Sequence, residues 1–140
     1  MLEFSYYLQT GQVKRKSRDK NLARSLLRSA EERIAFSKTL VESKPRFAME
    51  LAYEAVRELA DAIMSADGYK TFSHEVAISF LSTIEGLSKA SVERLDVSRR
   101  KRNASKYYGA DVRKDDAESE LKFLSEMFGS LKVVLKKKIG

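Results

Sequence analysis

At 140 residues the chain is long enough for one domain with a single core, and 43% hydrophobic residues with one proline and six glycines is the composition of a folded, helical protein. No cysteine means no disulfide framework and no thiolate chemistry; a lone histidine, His74, excludes a site needing two from one chain; and no run approaches the roughly 18 apolar residues of a membrane span. A net charge of +7 fits a polyanionic partner. The N-terminus lacks the apolar core of a signal peptide, so a soluble, cytoplasmic protein with no membrane contact is expected.

The charge is uneven. Residues 14–20 (KRKSRDK) carry five basic side chains and one acid, and residues 99–106 carry five and none. Lys136–Lys138 add three more, where the dipole of a closing helix itself favours cations.

Residues 1–17 are aromatic (Phe4, Tyr6, Tyr7) and then basic, with no sustained period, and read either as a strand or short helix docked on the body or as a flexible tail, ahead of a helical body over 18–140. The first clear helix is predicted over about Asp19–Glu42. Its apolar face, Ala23, Leu27, Ala30, Ile34, Ser37 and Val41, steps by 4, 3, 4, 3 and 4. Pro45 opens the second, which runs to about Ala66 and is apolar and alanine-rich round most of its circumference, as a central helix must be. Gly68 is its expected left-handed cap. Ser73 caps a third helix, with Val76, Ala77, Phe80, Leu81 and Ile84 as its core face and Gly86 weakening or ending it. A fourth is predicted over about Ser88–Tyr107. The last, about Asp115–Lys137, repeats the 4, 3, 4, 3, 4 step through Ala117, Leu121, Leu124, Phe128, Leu131 and Leu135. About five helices on short connections, with no strand signal, predict an all-α antiparallel up-and-down bundle.

The most informative stretch is Arg99–Gly109, RRKRNASKYYG. On a helical wheel the inward stripe begun by Leu87 and Leu95 continues through Ser98, Arg102 and Ser105, which faces Arg102 towards a neighbouring helix or groove. A guanidinium there needs an acceptor. An internal carboxylate, Glu54 or Glu58, would serve, and so would a phosphate, which the planar fork of arginine matches in two-pronged geometry. Tyr107 and Tyr108 point about 100° apart, so one can close the bundle end while the other stacks on an unpaired base. His74, at a helix start, reads as a capping or packing residue; spacing gives no reason for it to meet Arg102 or Tyr107. Asp111, Asp115 and Asp116 read as helix-start acids rather than metal ligands. Met49, Met64 and Met127 read as packing.

Three pieces in order resemble the HEPN family (higher eukaryotes and prokaryotes nucleotide-binding): LAYEAVRELADAIMSADGYK at 51–70, SHEVAISFL at 73–81, and RKRNASKYYG at 100–109. The last is similar to the Arg-Asn signature near the end of that family's fourth helix. The resemblance covers roughly Asp19–Lys138 and implies a four-helix core. Many members are metal-independent ribonucleases, often toxins, with an arginine followed four to six residues later by histidine. Here Arg102 and Asn103 match the start of that signature, but its histidine position falls on Tyr107, Tyr108 or Gly109. A tyrosine with a pKa of about 10 replaces imidazole poorly as a general acid–base. The resemblance therefore implies the subgroup that binds a nucleotide or RNA without efficient catalysis, with Arg99, Arg102, Asn103, Lys106, Tyr107 and Tyr108 at the ligand. It also implies homodimerisation, and pairing with a separate nucleotidyltransferase-type protein as the other role of that subgroup; no metal or cofactor is implied. The alternatives are a divergent endoribonuclease using Arg102 and Tyr107, and a helical interaction module such as an antitoxin-like subunit.

Overall fold

Asp19 starts the first long helix as the spacing predicts, its carboxylate accepting a hydrogen bond from the Leu22 amide at 2.9 Å. In the computed structural model, which describes residues 2–140, the elements in order are α1 (Phe4–Gln9), β1 (Lys14–Arg15), α2 (Lys20–Leu40), α3 (Pro45–Asp67), β2 (Tyr69–Lys70), α4 (His74–Leu81), α5 (Lys89–Tyr108) and α6 (Lys114–Ile139). Met1, the first residue of the segment read as 1–17, lies outside the described residues.

The protein is an all-α bundle with α3 at its centre, packed most extensively on α2 and α6 and also on α4 and α5. Ala48, Ala52, Ala55, Ala62 and Ala66 are buried along α3, and their small side chains let the neighbouring helices approach closely. The heptad-like stripes of α2 and α6 supply the other walls, with Leu27, Ile34, Leu124, Leu131 and Leu135 buried. A four-residue connection, 41–44, leaves α2 and α3 no arrangement but antiparallel neighbours.

Three short elements, α1, β1 and β2, stand outside the five predicted helices, the first two of them within the N-terminal segment. Residues 4–9 form a short helix held by aromatic packing: the Phe4 ring meets Tyr69 and Phe80 edge-on at 5.3 and 5.1 Å, and Tyr7 is buried. Residues 14–15 then pair antiparallel with 69–70, Lys14 opposite Lys70 and Arg15 opposite Tyr69. Elements of six and two residues are too short to show a period. α4 is also shorter than expected: it ends at Leu81, before Gly86, in tighter i→i+3 turns where the Ser82 and Thr83 amides donate to the Ser79 and Phe80 carbonyls at 3.2 and 3.0 Å and their hydroxyls donate to the same carbonyls at 2.6 and 2.7 Å.

Gly68 caps α3 in the left-handed conformation at φ 88°. It has a second role, since a Cβ there would sit 2.8 Å from the Lys16 carbonyl oxygen. The Lys16 amide donates to the Gly68 carbonyl at 2.8 Å, so this backbone contact docks the N-terminal ribbon on the bundle. Among the described residues, no helix is long and apolar enough to cross a membrane.

Candidate functional site

The polar continuation of the α5 stripe lies against α3, with Ser98, Arg102 and Ser105 all buried. Arg102 is only 5% exposed. Its Nη2 donates to the Glu54 carboxylate, and its Nη1 donates to Asn103 Oδ1 at 3.1 Å. Its Nε is buried with no hydrogen-bond partner among the described residues. The guanidinium carbon lies 5.7 Å from the centre of the Tyr53 ring and 5.6 Å from that of Tyr107, so two aromatic rings flank the cation. Of the two partners the wheel allows, an internal carboxylate is thus present.

Glu54 belongs to a seam that runs along α3. Arg57 donates through Nε to Glu54 at 3.3 Å and through Nη1 to Asp61 at 2.8 Å. At the other end Tyr53 Oη lies 3.2 Å from His74 Nδ1, with the two rings stacked at 5.9 Å. His74, which spacing left apart from Arg102, is therefore linked to it through Tyr53. Burial sets the proton affinities here. It lowers the His74 pKa to about 4, Arg57 pushing the same way, so the imidazole is neutral at pH 7. It raises Asp61 to about 6 against the pull of Arg57. The Tyr53 hydroxyl is raised too, by burial and then by Glu54. Burial opposes the charge on Arg57, but Asp61 and Glu54 outweigh it and hold the guanidinium above its ordinary value.

The five-cation cluster of α5 is largely neutralised by the fold. Arg99 Nε donates to Asp96 at 2.8 Å, Arg100 Nε lies 3.5 Å from the same carboxylate, Lys101 donates to Glu120 at 2.8 Å, and Arg102 pairs with Glu54. Lys106 is exposed and lies 5.6 Å from the centre of the Tyr107 ring. Tyr107 is mostly exposed, and Tyr108, at 84%, more so. Arg102, Asn103, Lys106 and Tyr107 thus share one cluster, Arg99 is turned to Asp96 one helical turn earlier, and Tyr108 projects from the helix end. Beside this cluster an open groove of about 300 Å³ has Phe36, Leu40, Phe47 and Leu51 on its floor, with Glu50, Glu54, Arg102 and Lys106 among its lining.

Sequence reasoning missed Tyr53, the Arg57–Asp61 pair and Glu120. The i,i+4 spacing of Arg57 and Asp61 is a legible signal. Glu120 sits one turn from Ala117 and Leu124, an acid on the edge of a core stripe, and is buried to 1%. Arg94, Lys101 and Ser98 all donate to it, which outweighs its burial and holds its carboxyl below the ordinary range. Asp116 accepts from the Arg113 amide at 3.4 Å at the start of α6. Among the described residues no three His, Asp or Glu side chains gather where they could hold a metal ion.

At the end of α5 an ammonium and two tyrosine rings are exposed, beside a buried guanidinium already paired with Glu54. That set suits a planar anionic ligand better than proton transfer, since the single imidazole is turned to Tyr53. No protein-family model matches the chain, and no curated protein sequence matches it.

Proposed function

We propose that the chain is a HEPN-like bundle that binds a nucleotide or RNA at the C-terminal end of α5, without efficient catalysis, as a homodimer or beside a nucleotidyltransferase-type partner. One observation carries the reading: Arg102 is buried between two tyrosine rings with Nε unpartnered, next to exposed Lys106, Tyr107 and Tyr108. A buried N–H without an acceptor costs about 1–3 kcal/mol. That atom is closed to solvent, so a ligand meets the exposed groups around it: Lys106 for a phosphate, and the Tyr107 and Tyr108 rings for a base.

The test is a titration of ATP, GTP and a short single-stranded RNA at low and moderate salt. Lys106→Gln combined with Tyr108→Ala removes exposed groups only, so it should weaken binding and leave the melting curve unchanged. A wild-type protein that binds none of the three at low salt overturns the reading. The apolar groove floor favours a second reading, since Phe36 and Phe47 are each more than half exposed. A helix of a second copy or of another protein laid on them is the occupant such a floor fits. Phe36→Glu should then turn a dimer in light scattering into a monomer.

A further inference from the structure

The other basic cluster of the sequence has a different fate. Lys14, Arg15, Lys16, Arg18 and Lys20 make no ion pair among the described residues, and neither does Lys70, which β2 brings beside them. The ribbon register sets Lys14 directly opposite Lys70, an arrangement of like charges that destabilises a strand pair. Two residues on stands Phe72, 89% exposed, with the Lys70 ammonium 5.0 Å from its ring centre. The ring is presented from a fixed backbone: the Thr71 hydroxyl donates to the Gln12 carbonyl at 2.8 Å and accepts from the Ser73 amide at 3.1 Å. Beside it a cleft of about 280 Å³ includes Lys16, Arg57, Asp61, Ser65 and Tyr69 in its lining.

We propose that the β1–β2 ribbon is a second contact surface for single-stranded RNA, on which Phe72 stacks with a base while Lys14, Arg15 and Lys70 hold the flanking phosphates. The inference rests on the reading of RNA as ligand and extends it to a part of the molecule remote in sequence from α5. A polyanion relieves the cross-strand Lys14–Lys70 repulsion, and among the described residues no carboxylate forms an ion pair with either lysine. An exposed aromatic ring among unpaired cations is the combination that binds single strands with little sequence preference. A solvated charged face explains the lysines but not a pinned, exposed phenylalanine between them. Arg57 joins the two surfaces, because it bonds Glu54 at the Arg102 site and Asp61 in the cleft. Lys106 lies beside Phe47 near the start of α3 and the ribbon follows its last residue, Asp67, so about 20 helical residues, roughly 30 Å at 1.5 Å per residue, separate the two surfaces along α3.

The experiment is fluorescence anisotropy of a labelled single-stranded oligouridylate against the full chain at two or more salt concentrations. Wild type is compared with Phe72→Ala, Phe72→Trp, the triple variant Lys14→Gln/Arg15→Gln/Lys70→Gln, and the α5-end variant Lys106→Gln/Tyr108→Ala, each checked by circular dichroism melting. Phe72→Ala should weaken binding by about 5- to 100-fold, with Phe72→Trp restoring it. The triple variant should flatten the plot of log affinity against log salt by about two, at about 0.7 per phosphate contact on a single strand. If wild type binds RNA, the α5-end variant loses it and the ribbon variants do not, this inference fails while the proposed function stands. If wild type binds no RNA, this inference fails, and the proposed function fails with it only when ATP and GTP do not bind either. If polyglutamate binds as tightly as RNA and Phe72→Ala changes nothing, the ribbon is a general acidic-protein surface and the inference is overturned.

Discussion

His74 and Asp61 lie at opposite ends of the α3 seam, and burial moves their proton affinities in opposite directions: His74 from 6.5 down to about 4, Asp61 from 3.8 up to about 6. Between pH 4 and 6.5 the unfolded chain protonates His74 and the folded chain does not. Stability from this group is therefore complete above about pH 6.5 and is lost as pH falls towards 4. Asp61 has the reverse sign: the folded chain keeps its proton up to about pH 6, so its contribution is complete below about pH 4 and is lost as pH rises through 6. At about 1.4 kcal/mol per pH unit each is on the order of 3 kcal/mol. Both groups are partly exposed, which brings each to about 1–2 kcal/mol after solvent screening. The two slopes nearly cancel in the wild-type protein. Replacing one group should uncover the other: His74→Asn, which keeps an acceptor for the Tyr53 hydroxyl, should lose about 1–2 kcal/mol between pH 4 and 6.5 relative to wild type, and Asp61→Asn should gain as much. Urea unfolding followed by circular dichroism across that range measures it, and differencing against wild type removes the slope of every other carboxylate, Glu120 included. If both variants track the wild-type slope, burial does not govern these two groups and the polar seam is more hydrated than its geometry implies.

Two more expectations concern stability. Arg102→Ala should cost about 3–5 kcal/mol in thermal or urea unfolding, since it leaves Glu54 beside a cavity with only Arg57 as partner; the double change Arg102→Met/Glu54→Leu should cost much less, and equal costs would mean that the ion pair itself holds α5 on α3. Gly68→Ala should cost about 1–3 kcal/mol, because φ is 88° and the new Cβ would meet the Lys16 carbonyl. Hydrogen exchange at the Lys16 amide should quicken in that variant, and unchanged protection would show that the ribbon docks by its side chains instead.

The helices of this chain are legible because each long one buries a regular stripe. The same wheel that sets Leu27 and Leu131 inward sets Ser98, Arg102 and Ser105 inward, and the structure buries all of them. The caps are legible for local reasons, Asp19 and Ser73 through their oxygens and Gly68 through its freedom at positive φ. What spacing does not disclose is set by contacts between elements far apart in the chain. Tyr53 reaches His74 across 21 residues, and Phe4 builds α1 only because Tyr69 and Phe80 are there to receive it.

Charge shows the limit most clearly. Two clusters of five cations are alike when counted along the sequence. In the fold one lies beside acids, Asp96 a turn back on its own helix, Glu54 on α3 and Glu120 on α6, and four of its five cations find carboxylates. The other begins on a ribbon whose facing strand offers Tyr69 and Lys70 and runs to the start of α2, and among the described residues it finds none. Of the two clusters, the one near the N-terminus therefore keeps more of its cations free of ion pairs among the described residues, although the Arg-Asn signature that carries the family resemblance is on α5. If RNA is the ligand, electrostatic capture by the ribbon and orientation by the α5 end are separable steps: removing ribbon cations should slow association and weaken its salt dependence, while removing Lys106 and Tyr108 should speed dissociation.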